Sequence, residues 1–297
     1  MKSIWELVRD AYWAWNDDKA WRLGAALSYF AVFSLAPFFF ISMVVTGFIF
    51  GQAAAASRII AEIQGLTGEQ VALAIRATTA NAYLSKSNVA ATIFGGVTLI
   101  LGSTAVFIQL REALNSIWYV EPKPLGTIRD FIQARLVSFA MLSGIIFLFL
   151  LSPILSATLA AFGKQLSDIL PGVGKSLEIA DFMISVLVFT GLFALIFKLL
   201  PDAEIEWRDI WIGATVTSIL FSIGKTVIGL YLGKSDVSTT FGAAKSLVTV
   251  MIWTFYSAQI LLYGAEFTKI YSNRYGSRIV PSRKAVQIDI RKIEVRS

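Results

Sequence analysis

Lys245, Thr249, Ile252, Tyr256, Gln259, Tyr263 and Glu266 recur at alternating steps of four and three through a long apolar run. At about 100° per residue these positions fall within about 100° of one another on a helix. The run therefore carries a mostly polar stripe with an ionisable group at each end. Facing lipid, such a stripe would be costly, so it belongs against other helices or beside a water-accessible cavity. Lys225, in the preceding apolar run, projects within about 20° of Ser218, on the side of the small residues Ala214, Ser218, Ser222 and Thr226. A cation there could hold an anionic headgroup or pair with a carboxylate, or its stem could snorkel toward the interface beyond Leu232. The stripe has two readings of its own: cavity lining, or hydrogen bonding that holds helices together.

The chain contains no His and no Cys, which removes thiol nucleophiles, imidazole bases, disulfides and the commonest transition-metal ligands. It has no ATP-binding P-loop either, so any movement of a ligand would be passive, ion-coupled or driven by a partner. Asp202, Glu204, Glu206 and Asp209 stand close together, but without a second cluster they do not make a two-metal site. Asp209 is expected to complement the N-terminus of the following helix and the other three to be solvated. The residue types point away from catalysis, and neither metal nor cofactor is expected.

These side chains must be positioned by membrane helices. Of the 297 residues 56% are hydrophobic and only 15% charged, against about 25% charged in soluble domains, and the mean hydropathy is +0.67. A bilayer core needs about 20 apolar residues of helix. Six segments qualify: Ala25 to Phe50, Asn88 to Leu110, Leu136 to Phe162, Ala180 to Leu200, Ile210 to Leu232 and Ala244 to Tyr271. The expected fold is an all-α polytopic membrane protein with a transmembrane domain over 25–271. An amphipathic interfacial helix over 1–24 precedes it and a basic tail over 272–297 follows. Residues 52–87, with two helix-like stretches broken near Gly65 to Gly68, read as an external helical hairpin.

Lys and Arg set the orientation. Eighteen fall at the N-terminus, in the loops after spans two and four, and in the tail from Lys269, against six on the opposite side. Both termini are therefore expected in the cytoplasm. Trp5, Trp13, Trp15, Trp21, Trp118, Trp207 and Trp211 fall on the same side, as rings that prefer the interface should. Glu6, Asp10, Asp17 and Asp18 rule out the apolar core of a cleavable signal peptide, so the N-terminus is expected to be retained.

In the first segment Ile4, Trp5, Val8, Ala11, Tyr12 and Trp15 lie opposite Glu6, Arg9, Asp10 and Asn16, the pattern of a helix in the interface plane. Span one carries Pro37, which removes an amide donor and crowds the Phe33 carbonyl, so a kink is expected with Ser34 beside it. Gly95, Thr98, Gly102, Ala105 and Gln109 of span two form a close-packing face, and Asp181 and Lys198 are expected at the two interfaces. The tail interleaves Arg283, Lys284, Arg291, Lys292 and Arg296 with Val and Ile, a pattern suited to anionic lipid rather than nucleic acid.

Three stretches carry a family resemblance: AALSYFAVFSLAP at 25–37, LLPDAEIEWRDIWIGA at 199–214 and FGAAKSLVTVMIWTFYSAQILLYGAEFT at 241–268. With them the chain resembles the YihY/virulence factor BrkB family, historically labelled ribonuclease BN, over nearly its whole length. The resemblance implies a bacterial inner-membrane protein with six helices and cytoplasmic termini, in a family associated with envelope phenotypes; no enzyme activity is expected. It brings no catalytic set, and the old nuclease label does not suit a chain without His or Cys and with short cytoplasmic loops. The leading expectation is a transporter or flippase for an anionic amphipathic envelope component, a lipid. Lys225 would hold the headgroup, Tyr256, Gln259, Tyr263 and Glu266 would line the path, and Ser34 and Pro37 would border it. The alternative is a non-transporting scaffold of an envelope complex, with a homo-oligomer or other envelope proteins as partners.

Overall fold

The computed structural model of the protein describes residues 4–31, 105–124, 174–234 and 245–288. It is mostly helical. Helix α1 is Ile4–Asp17, residues 20–31 form α2 and residues 105–117 form α3. Three long helices follow: α4 at Gly174–Leu199, α5 at Trp207–Lys234 and α6 at Lys245–Tyr275. Each holds a window long and apolar enough to cross a membrane, at Phe182–Leu199, Trp207–Ile228 and Val248–Tyr275. These coincide with spans four, five and six of the sequence reading. Span three, the hairpin at 52–87, Ser34, Pro37 and Gly95 to Gly102 lie outside the described residues.

Helix α5 packs against both α4 and α6, and α1 lies along α6. Two different surfaces of α5 make this possible. Toward α4 it presents the ridge of small residues: Ala214, Ser218 and Ser222 are buried, and the Ser218 hydroxyl donates to the Val186 carbonyl at 2.8 Å. Phe189 and Phe193 of α4 close on Phe221 at ring separations of 4.9 and 5.6 Å.

Toward α6 the surface is built from Gly213 and Thr217, met by Gly264 and Thr268 in the opposite direction. A Cβ on Gly213 would collide with the Thr268 side chain, and one on Gly264 with the Thr217 side chain. Each Thr hydroxyl is satisfied within its own helix, Thr217 donating to the Gly213 carbonyl and Thr268 to the Gly264 carbonyl, both at 2.7 Å. The two Gly-x-x-x-Thr segments thus interlock reciprocally, each threonine filling the space its neighbour's glycine leaves open. Small residues that let backbones approach are the usual basis of helix association in membranes.

The N-terminal segment differs from a single helix running to residue 23. Helix α1 ends at Asp17, and α2 starts at Ala20 after a turn in which Lys19 adopts a φ of 52°. Leu7 and Ala11 are buried with Phe267 of α6, so α1 is docked on the bundle. Trp5, Tyr12 and Trp13 remain exposed on its outer side.

The chain beyond α6 also differs from a simple tail. Strand β1 at Val120–Pro122 pairs antiparallel with β4 at Ala285–Gln287, placing Val120 opposite Gln287. Strand β2 at Ala203–Glu204 pairs with β3 at Val280–Pro281, placing Ala203 opposite Pro281. Residues 280–287 therefore tie together the segments that follow α3 and α4. Backbone pairing of this kind leaves no hydropathy period in so short a stretch, so a helical reading of the sequence passes over it.

Candidate functional site

Three neighbours divide the polar stripe of α6 between them. Lys245 is its first residue, Thr249 is buried, and Ile252 is half-buried. Tyr256 lies against α5 at Gly224, where an added Cβ would stand 2.9 Å from the phenol oxygen. Gln259 faces α2: its Nε2 is 3.4 Å from the Trp21 carbonyl, and it fills the space beside Gly24. One turn on, the Tyr263 hydroxyl donates to the Val8 carbonyl of α1 at 2.9 Å. Glu266 is fully buried.

Lys225 is half-buried, with Nζ 5.8 Å from the centroid of the Phe189 ring. Phe189 packs on Phe221, so the ammonium leans back along α5 rather than onward past Leu232. Helical Cα–Cβ bonds tilt toward the N-terminus, which favours that direction. Lys225 and Tyr256 occupy neighbouring faces of α5, the lysine toward α4 and the tyrosine against Gly224. Among the described residues no carboxylate lies within ion-pair distance of Lys225.

At the other end of these helices lies a charged seam that the sequence reading left undivided. Lys269 Nζ stands 2.9 Å from Asp18 Oδ2 and 2.6 Å from Glu266 Oε2, and it donates to the Ile117 carbonyl at 2.9 Å. The Tyr119 hydroxyl donates to Asp18 Oδ1 at 2.7 Å, and Lys269 sits 4.5 Å from the centroid of the Tyr119 ring. Burial would raise the Asp18 carboxyl, but hydrogen bonds from Lys269 and Tyr119 outweigh it and hold Asp18 below the usual carboxylate range. Burial and the Asp18 bond push the Tyr119 phenol well up, keeping it a donor.

Beside this cluster, Arg111 of α3 forms a two-point contact with Asp202, one bond of 2.9 Å from Nε to Oδ2 and a second from Nη2 to Oδ1. Asn115 donates to the same carboxylate at 2.8 Å and accepts from the Asp202 amide at 2.8 Å. Asp209 Oδ2 accepts from the hydroxyls of Ser272 at 2.8 Å and Ser277 at 3.1 Å, and from the Ser277 amide at 2.9 Å. Asp202 and Asp209 are therefore buried structural acceptors, a correction to the solvated Asp202 expected from the sequence. Asp209 does more than complement a helix N-terminus, since it captures the end of α6. Glu204 and Glu206 are exposed. No group of three or more Asp, Glu, His or Cys suited to a metal occurs among the described residues.

Trp118 changes role as well. Expected at the interface, it is 1% exposed and donates from Nε1 to the Ala265 carbonyl at 3.2 Å. Lys198 anchors the α4–β2 turn by donating to the Ile205 carbonyl at 2.5 Å. A cleft of about 660 Å³ opens beside the seam, lined by Ala14, Trp118, Tyr119, Lys269, Asn273 and Arg274 among others. Arg274 on its rim bonds Asp10 at 2.7 Å, and that bond holds the Asp10 carboxyl below its ordinary range. One sequence signal pointed here: Glu266 and Lys269 are three residues apart on one helix, at the end of an apolar run.

Long apolar helices joined by small residues, with charge gathered at one end, define a helical membrane protein. A family model described as Virulence factor BrkB matches residues 11–289, and the chain belongs to that family. Similar curated proteins are UPF0761 membrane proteins. That of Rhodospirillum centenum is 27% identical over 260 residues, 86% of this chain and 54% of the relative. That of Verminephrobacter eiseniae is 26% identical over 275 residues, 90% of this chain and 61% of the relative. That of Teredinibacter turnerae is 25% identical over 286 residues, 92% of this chain and 62% of the relative. The chain thus spans little more than half the length of these relatives. No solved structure matches.

Proposed function

We propose that the protein moves an anionic amphipathic envelope component, a lipid, across the bacterial inner membrane. The observation that carries this reading is Lys225, a half-buried cation inside an apolar helix with an aromatic ring beside it and no carboxylate partner among the described residues. An intramembrane charge of this kind is costly unless something compensates it, and an anionic headgroup would do so. Tyr256 stands on the adjoining face. Gln259, Tyr263 and Glu266 would continue the path along α6, with Ser34 and Pro37 at its border. Because Gln259 and Tyr263 are held by α2 and α1, these short helices would have to shift for a headgroup to pass.

The reading includes six transmembrane helices, an external hairpin over 52–87, both termini in the cytoplasm, and anionic lipid against the basic tail. It is tested by reconstituting the protein in vesicles and following fluorescent anionic and zwitterionic lipids across the bilayer. Movement well above that of protein-free vesicles, reduced at least tenfold by Lys225→Met for anionic lipid, is the expected result. Rates equal to protein-free vesicles for every lipid would overturn it.

The second reading, a non-transporting scaffold, is favoured by a different observation: strands β1 to β4 and the charged seam bind several segments distant in sequence into one surface. It predicts that Lys225→Met leaves the cellular phenotype intact while deletion of residues 53–87 destroys it.

A further inference from the structure

The geometry points to Glu266 as a proton-binding site that supplies the coupling ion of the proposed transport. This inference rests on the transport reading for its purpose but on separate atoms for its evidence. The Glu266 side chain has no exposure. Its Oε2 touches Lys269 Nζ at 2.6 Å, a contact off the angle of a hydrogen bond, and no donor among the described residues reaches Oε1. Lys269 meanwhile directs hydrogens to Asp18 Oδ2 and to the Ile117 carbonyl, both at 2.9 Å. One ammonium thus stands between two carboxylates.

The other titratable and charged groups of the packed elements do not repair the imbalance. From the α1–α2 turn come Asp18 itself and, on either side of it, the exposed Asp17 and Lys19, and from α2 comes the exposed Arg22, which lies over the Trp21 ring. From the α3–β1 turn comes Tyr119, whose hydroxyl is committed to Asp18. On α6, Tyr263 bonds the Val8 carbonyl and Arg274 bonds Asp10. With both carboxylates ionised the cluster carries a net charge of −1 in a water-poor place, where an unpaired charge is strongly disfavoured. A proton on Glu266 cancels that charge and leaves the Asp18–Lys269 pair intact.

The cleft gives the proton an entrance. It reaches Lys269 and Tyr119, and Asp18 is the more exposed carboxylate, 15% against none for Glu266. A hydronium ion in the cleft gives its proton to Asp18 and becomes water; Asp18 passes the proton to Glu266 and returns to its carboxylate form beside Lys269. The ammonium keeps its three hydrogens throughout, and the cluster changes from −1 to neutral. Separation of α1 from α6 would then let Glu266 release the proton elsewhere.

Infrared difference spectra of the full chain in vesicles, from about pH 5 to about pH 9, read the site directly through the carbonyl stretch of a protonated carboxyl. The wild type should show this band and Glu266→Gln should lose it. Asp18→Asn leaves Lys269 to Glu266 alone, so the band should disappear at lower pH than in the wild type. Lys269→Met should carry it to higher pH. A band unchanged in Glu266→Gln, or moving in the same direction in Asp18→Asn and Lys269→Met, overturns the site; the latter pair decides the matter even if Glu266→Gln does not fold. A pH gradient across the same vesicles should accelerate lipid movement in the wild type and lose its effect in Glu266→Gln. Wild-type movement indifferent to the gradient overturns coupling. A titrating band without lipid movement in any vesicle overturns the transport reading and leaves the proton site standing.

Discussion

Two regions join the same helices by opposite means. Where α5 meets α6, the contact is made by absence: Gly213 and Gly264 leave space, and Thr268 and Thr217 fill it with their hydroxyls turned back to their own helices. At the charged seam the contact is made by ion pairs and hydrogen bonds, with Asp18, Asp202 and Asp209 each drawing donors from distant parts of the chain. Lipid chains are as apolar as leucine, so burial alone gives helices little reason to associate within the membrane, and close packing must supply it. Near water the segments are short and polar, and directional hydrogen bonds can select one arrangement among many.

This contrast can be broken from either side. The largest effect is expected from Gly264→Leu, whose side chain would enter the volume of Thr217. Overpacking of this severity should cost about 3 kcal/mol or more, seen as loss of a folded fraction in detergent thermal melts, whereas Gly191→Leu, open on α4, should be tolerated. Next comes Asp209→Ala, which strands the Ser272 hydroxyl and both Ser277 donors. Losing hydrogen bonds to a buried charged acceptor should cost about 2 kcal/mol, and amide exchange should rise first at the end of α6 and around Ser277.

A smaller effect distinguishes the seam by its dependence on pH. Because Asp18 is held below its unfolded range, its stabilisation is complete above the unfolded carboxyl range and is lost as pH falls through the folded value. Melting temperatures of the wild type should therefore drop on the acid side by more than those of Asp18→Asn, while the two respond alike near neutrality. Equal acid sensitivity would mean that the Lys269 and Tyr119 bonds do not favour the ionised form. The smallest effect is expected from Arg274→Ala at the exposed bond to Asp10. It should lower the melting temperature slightly at low salt and not at all at high salt, since surface pairs are screened. The Gly264→Leu defect should ignore salt.

Much of the contrast was readable in the sequence on one side only. Apolar length located α4, α5 and α6, because a bilayer-spanning helix must bury its own backbone polar groups and needs about 20 apolar residues to do so. The ridge of Ala214, Ser218, Ser222 and Thr226 was legible in part: the first three are buried, with Ser218 bonded to α4, while Thr226 is exposed. The reciprocal glycines were less so: a Gly-x-x-x-Thr segment says that something approaches closely, and only the second copy on α6 says what. On the charged side, Asp202 looked like one of four solvated acids, since its partner Arg111 is 91 residues away. Trp118 carried the same interfacial preference as the other tryptophans, yet the turn of Tyr119, at a φ of 55°, directs the chain into β1 with Trp118 inside.

The sequence by itself determined that this chain lives in a membrane, where its last three apolar helices run, that it lacks imidazole and thiol chemistry, and which family it resembles. Those properties follow from composition, length and local order, which each segment carries alone. Tertiary structure decided that Asp18 and Glu266 share Lys269, that Tyr263 reaches Val8, and that residues 280–287 become strands joining two distant loops. Those outcomes depend on which segments meet, and a pair of charges 251 residues apart leaves no period in the sequence from which their meeting could be read.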